Sequence, residues 1–180
     1  VTLIHDPNAL PALMVLGMLM QREERHEEAA ERNERILELD PNNLVALNNL
    51  AWVRCENQDR PQDALRLADR GVRVNPNYAD LLDTRGVIHH RLGNLEKAAA
   101  DLTRCLELMG ADDPASAQAH FHLARVYLEL GRRNDALNEL KQALEFHEQA
   151  AEVDRDIGRL PEAELEEANV LQEKLKGSSG

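Results

Sequence analysis

Seven histidines and two cysteines are the side chains in this 180-residue chain best suited to metal binding or nucleophilic chemistry. Four of the histidines form two close pairs, His89 with His90 and His120 with His122. His90 and His122, with Asp83 near the first of them, could offer a metal ion imidazole and carboxylate ligands. The spacing argues against this. Residues one or two apart on a helix do not share a face, so each pair supplies one ligand at most. Cys55 and Cys105 stand far apart with no base fixed beside either, and both are read as small buried thiols. Two such thiols leave the redox compartment undecided. The sequence carries no glycine-rich phosphate loop, metal-protease helix motif or nucleophile elbow. No catalytic residue, metal or cofactor is therefore expected.

The elements that must position these residues come from an internal repeat. Ala29, Ala64, Ala98 and Ala136 recur at steps of 35, 34 and 38 residues. Gly17, Ala51, Gly86 and Ala124 step by 34, 35 and 38, as do Pro7, Pro41, Pro76 and Pro114. Three markers in register, at a period of about 34 residues, point to stacked helix pairs. Leu123, Ala124, Tyr127 and Leu128 make one apolar stripe, Gly131 closes that helix, and Ala136, Leu137, Leu140, Ala143 and Leu144 make the stripe of the next. Asp40-Pro41-Asn42 and Asn75-Pro76-Asn77 read as the turns between pairs, with proline starting a helix and Asp or Asn satisfying orphan amides.

Composition agrees. Apolar residues make up 43% but aromatics only 3%, as suits helices packed through small and branched side chains. A net charge of −12 repels phosphate backbones, so nucleic acid is not an expected partner. The longest apolar run, Ala9 to Met20, is broken by Pro11 and Gly17, and no membrane insertion is expected.

The repeats divide the chain into 1–9, 10–43, 44–78, 79–116, 117–150, 151–176 and 177–180. The first stretch reads as the stub of a preceding repeat, so the chain is expected to be a piece of a longer array. The third repeat has four extra residues near 106–113, predicting a longer helix or a protruding loop. Residues 151–176 read as a connector and a capping helix, buried through Ala163, Leu165, Ala168, Leu171 and Leu175. Its acidic run, Glu162 to Glu167, reads as a solvated face. Gly177-Ser178-Ser179-Gly180 resembles a cloning tail.

Leu16-Gly17, Leu50-Ala51, Arg85-Gly86 and Leu123-Ala124, followed by the alanine series and by Pro41 and Pro76, resemble the tetratricopeptide repeat family over roughly residues 6 to 150. The family's aromatic, three positions after the Gly or Ala, survives only as Tyr127; Met20, Arg54 and His89 replace it elsewhere. The resemblance implies an all-α, right-handed superhelical solenoid of antiparallel helix pairs with a C-terminal capping helix. It also implies a concave groove lined by the first helix of each pair. Groove positions would then include Met14, Met18, Asn48, Asn49, Trp52, Asp83, Val87, His90, Phe121 and His122. Apolar side chains there would bury a peptide or protein ligand while the amides pair with its backbone. The competing reading is that they pack neighbouring repeats.

One subtype of the family grips a carboxylate-ended chaperone tail with Lys and Asn, then Asn, then Lys and Arg from three successive repeats. Asn49 fits the second repeat, but Met14 and Met18 occupy the first, and Asp80 and Thr84 the third. An acid where a carboxylate must bind excludes that clamp. Asn48-Asn49-Leu50-Ala51-Trp52, Leu82-Asp83-Thr84-Arg85-Gly86 and His120-Phe121-His122-Leu123-Ala124 are similar to C-terminal arrays of bacterial exosortase-associated, exopolysaccharide-secretion members. That resemblance implies a non-catalytic scaffold for polymer export or protein sorting in the bacterial envelope. A regulatory or substrate-recruiting arm of a larger enzyme, a cytosolic assembly adaptor and self-association stay open beside it.

Overall fold

The computed structural model describes Leu13 and residues 25–110, 113–152 and 159–177. Within them run eight α-helices and no strand: α1 (His26–Leu39), α2 (Leu44–Trp52), α3 (Pro61–Val74), α4 (Ala79–Arg91), α5 (Leu95–Met109), α6 (Ala117–Glu129), α7 (Arg133–Glu152) and α8 (Glu162–Gly177). Met14 and Met18 lie outside the described residues, as do Pro7, Gly17, Ala111 and Asp112. The chain forms two compact units, Val1–Leu92 and Gly93–Gly180.

Small residues stand where helices meet most closely. Ala29, Ala51 and Ala64 in the first unit and Ala98, Ala124 and Ala136 in the second are all fully buried. At Gly71 of α3 even a methyl group would overlap the Leu81 side chain of α4. Larger residues pack around these approaches. Ile36, Leu47, Leu81 and Ile88 fill the first unit, and Leu102, Phe121, Leu123, Leu140 and Phe146 the second.

The turns between pairs repeat one hydrogen-bond device. The side-chain oxygens of Asp40, Asn75 and Asp113 accept the backbone amides of Asn42, Asn77 and Ala115, two residues on, at 3.3, 3.0 and 2.9 Å. Asn43 then caps α2 by accepting from the Ala46 amide at 3.0 Å. Each Asx-turn orients the chain across its proline and satisfies amides that the coming helix cannot. Of the four extra residues in the third repeat, α5 takes one, ending 11 residues after Ala98 where α3 ends 10 after Ala64. The others fall in the link that follows, which includes residues 111–112.

Within pairs, the step from the first small residue to the alanine is 12 residues for Gly86–Ala98 and Ala124–Ala136, but 13 for Ala51–Ala64. The extra residue is absorbed where α2 passes into a π-helical turn, Val53–Asn57, with the Gln58 amide donating to the Val53 carbonyl at 3.1 Å. Asp59 then takes φ +51°, the place that Gly93 (+73°) and Gly131 (+72°) take in the other pairs. The capping stretch differs from expectation at one position: Ala163 is exposed, and Leu160 joins Ala168 and Leu175 in the core instead.

At Gly131 the amide donates to the Leu128 carbonyl at 3.0 Å and the Arg132 amide to the Tyr127 carbonyl at 2.8 Å, the paired bonds of a Schellman ending. A Cβ at 131 would meet nothing within 4 Å, so an alanine there is opposed by backbone conformation alone. Gly131→Ala should lower the unfolding free energy by about 1–2 kcal/mol. The urea midpoint at unchanged m-value measures this, and an unshifted midpoint would contradict the left-handed assignment.

Candidate functional site

In the first unit α2 carries Asn48 and Trp52 one turn apart, with Asn49 beside them, and α4 carries Asp83, Val87 and His90 at i, i+4 and i+7. That spacing puts each set along one stripe of its helix. The core is built by other residues of the same helices: Leu47, Leu50 and Ala51 of α2, and Leu81, Leu82 and Ile88 of α4. All six candidates are half-buried. The two helices are tied at one end by Arg91, whose guanidinium donates to Glu56 at 3.4 Å and to Asp59 at 3.1 Å. Those acids raise the Arg91 pKa further, Asp59 most through its hydrogen bond and Glu56 next through its charge. Arg85 bonds Asp69 at 3.1 Å, fixing α4 against α3. Within this framework the Asn48 Oδ1 is buried without a hydrogen-bond partner among the described residues.

The adjacent histidines of α4 divide as the helix geometry requires, with His89 buried and His90 half-buried. Thr84 is buried and Asp80 exposed. Burial pushes the nearby Tyr78 phenol up, and the charge of Asp80 adds to it. The site's acidic character therefore stands next to an apolar and amide-bearing stripe.

In the second unit the geometry corrects two candidates. Phe121 is fully buried and His122 only 4% exposed. Side chains of α8 reach this face of α6. Glu164 Oε1 accepts from Gln118 Nε2 at 3.2 Å and stands 3.7 Å from His122 Nε2. Glu167 pairs with Arg125 at 3.3 Å, and Arg133 donates to the carbonyls of Lys174 and Leu175 at 3.2 and 2.6 Å. Ala168 and Leu175 belong to the same apolar cluster as Phe121. Phe121 and His122 are thus core residues beneath a helix rather than groove lining. The acidic run of α8 is not wholly solvated either, since Glu164 is half-buried against α6. Sequence reasoning set Glu164 and Glu167 on a solvated face and had no role for Arg133; the available sign was the i, i+3 acid pair beside the Leu165-Ala168 stripe.

His120 turns the other way from His122, with Nδ1 at 2.6 Å from Glu139 and its ring 5.6 Å from that of Phe146. No three His, Cys, Asp or Glu side chains gather as a metal site among the described residues.

Both cysteines are free and buried. The Cys55 thiol donates to Glu56 Oε1 at 3.2 Å, and burial first, then that acceptor and its charge, push its pKa up to about 12. The thiolate is the reactive form, so Cys55 has no nucleophile to offer near neutral pH. Because its folded pKa lies above 9.0, the protonated thiol favours the folded state fully below pH 9 and loses that contribution as pH rises towards 12. Cys55 should stay unmodified by a thiol reagent at pH 8 and react on denaturation. Rapid labelling of the native protein, located by peptide mapping, would contradict the buried, protonated thiol.

Models of the tetratricopeptide repeat match residues 77–152 and 33–66. The human FK506-binding protein-like protein is 38% identical over 77 residues, 43% of this chain and 21% of that protein. The chain spans about a fifth of the length of the curated relatives it matches. A thermophilic tetratricopeptide protein of Thermus thermophilus superposes with a TM-score of 0.66 at 27% identity, over 79% of this chain and 76% of that one. The first such domain of Spaghetti (RPAP3), solved with the HSP90 peptide SRMEEVD bound, gives 0.60 at 24% identity, over 68% and 93%.

Proposed function

We propose that this chain, which belongs to the tetratricopeptide repeat family, is a non-catalytic protein-interaction module that holds a segment of a partner on the α2 and α4 stripe of its first unit. The observation that carries the reading is Asn48. A buried acceptor left without a partner costs about 1–3 kcal/mol, and the Asn48 Oδ1 stands in that state beside half-buried Trp52 and Asn49. A turn of the half-buried Asn48 side chain presents its amide to the backbone of a bound peptide, while Trp52 and Val87 cover apolar side chains of the same segment. Met14 and Met18 extend this stripe in the sequence.

A domain with this fold takes the HSP90 peptide in RPAP3. The ligand here differs in chemistry, because exposed Asp80 and buried Thr84 stand where a carboxylate-gripping relative needs cations. An uncharged or basic segment suits Asp80 and Asp83 better than an acidic tail does. The similarity of the Leu44–Leu144 stretch to exopolysaccharide-secretion members favours a partner in the bacterial envelope, a setting that the gene's upstream sequence tests.

A displayed library of random peptides should enrich binders on the wild-type chain. Those binders should lose about tenfold in affinity, about 1.4 kcal/mol, on Trp52→Ala and again on Asn48→Ala, with helicity unchanged by circular dichroism. Enrichment that is indifferent to both substitutions would sink the assignment.

A further inference from the structure

We propose that the α6 face made by Gln118, Phe121, His122 and Arg125, with Arg133 at the start of α7, is a binding surface for acidic amphipathic helices. In this chain α8 holds it, and a partner helix of the same pattern takes it by displacing α8. The surface belongs to the second unit and stands independently of the α2 and α4 stripe.

Repeat position supports the assignment. Phe121, His122 and Arg125 stand at −3, −2 and +1 from Ala124, as Asn48, Asn49 and Trp52 do from Ala51 and Asp83, Thr84 and Val87 from Gly86. Five of the six equivalents in the first unit are half-buried, and only Thr84 is buried. In α6 the corresponding face is covered by a helix of the chain itself.

The chemistry of the covering helix defines what the face accepts. Carboxylates at i and i+3, Glu164 and Glu167, meet Gln118, His122 and Arg125. Leu165, Ala168, Leu171 and Leu175 lie along the apolar side and pack on the cluster that contains Phe121. The final turn presents the carbonyls of Lys174 and Leu175 to Arg133. A cation at the carbonyl end of a helix also complements its dipole.

The fit of α8 is incomplete, which leaves room for a competitor. Glu164 Oε2 is buried with no hydrogen-bond partner among the described residues. The Arg125–Glu167 pair is about 40% exposed on both sides, and pairs of that exposure contribute little. An open groove of about 500 Å³ runs between α7 and α8, lined by Lys141, Leu144, Glu145, Glu148, Leu165 and Asn169 among others.

The test uses the full chain and a labelled synthetic peptide of residues 162–177, read by fluorescence anisotropy. Glu164→Lys with Glu167→Lys in the chain should loosen α8 and raise peptide affinity at least about tenfold over wild type. Adding Arg125→Glu should remove the gain, and a peptide with glutamine at its five glutamate positions should bind about tenfold more weakly. Equal binding to wild type and variant, or equal binding of the acidic and glutamine peptides, overturns the proposal. Hydrogen exchange on the wild-type chain decides independently of whether the variant folds. Amides of α8 should exchange before those of α6 and α7, and exchange of all three together, at the global rate, would rule out displacement.

Discussion

Small residues are buried completely between neighbouring helices at each repeat, and the rest of the molecule is arranged around that fact. Ala29, Ala51, Ala64, Ala98, Ala124 and Ala136 are buried completely because they stand at those approaches. Gly71 under Leu81 is the extreme case, where even a methyl would clash. Close approach sets which face of each helix points inward, and with it which residues are left over for other work. The half-buried stripes of α2 and α4 are that remainder. A helix that spends Leu47, Leu50 and Ala51 on the core turns Asn48, Asn49 and Trp52 to its half-buried side.

Much of this was legible from the chain itself, because the constraint recurs. A steric requirement repeated at each helix pair leaves a periodic trace, so the helices, their turns and the buried alanines follow from spacing. The turns at Asp40 and Asn75 were legible for the same reason, since a proline beside Asp or Asn has few ways to be satisfied. Ala163 was misplaced because a first-turn alanine fits a helical stripe whether or not anything packs on it. Phe121 and His122 were misread on different grounds. The equivalent positions in α2 and α4 are mostly half-buried, and only the fold of the second unit brings Glu164 to His122 and sets Phe121 in one cluster with Leu175. Periodicity describes what each repeat shares with the next. It is silent about a helix that belongs to no repeat.

Electrostatics divides the molecule in a corresponding way. In the first unit the acids near the stripe are held: Glu56 and Asp59 by Arg91, Asp69 by Arg85. In the second, the carboxylates of α8 lie against cations and amides of α6. Among the described residues most of these partly buried charges thus stand beside an opposite charge or an amide.

The π-helical turn at Val53–Asn57 bears on how such a chain can change length. One residue added there widens a single turn, and Ala64 still arrives at its helix crossing fully buried. The same codon inserted in the middle of α3 would rotate every later side chain of that helix by about 100°, carrying Ala68 and Gly71 off the crossing. The end of a first helix is therefore a place where the gene can gain a codon without loss of register. The body of a second helix is not.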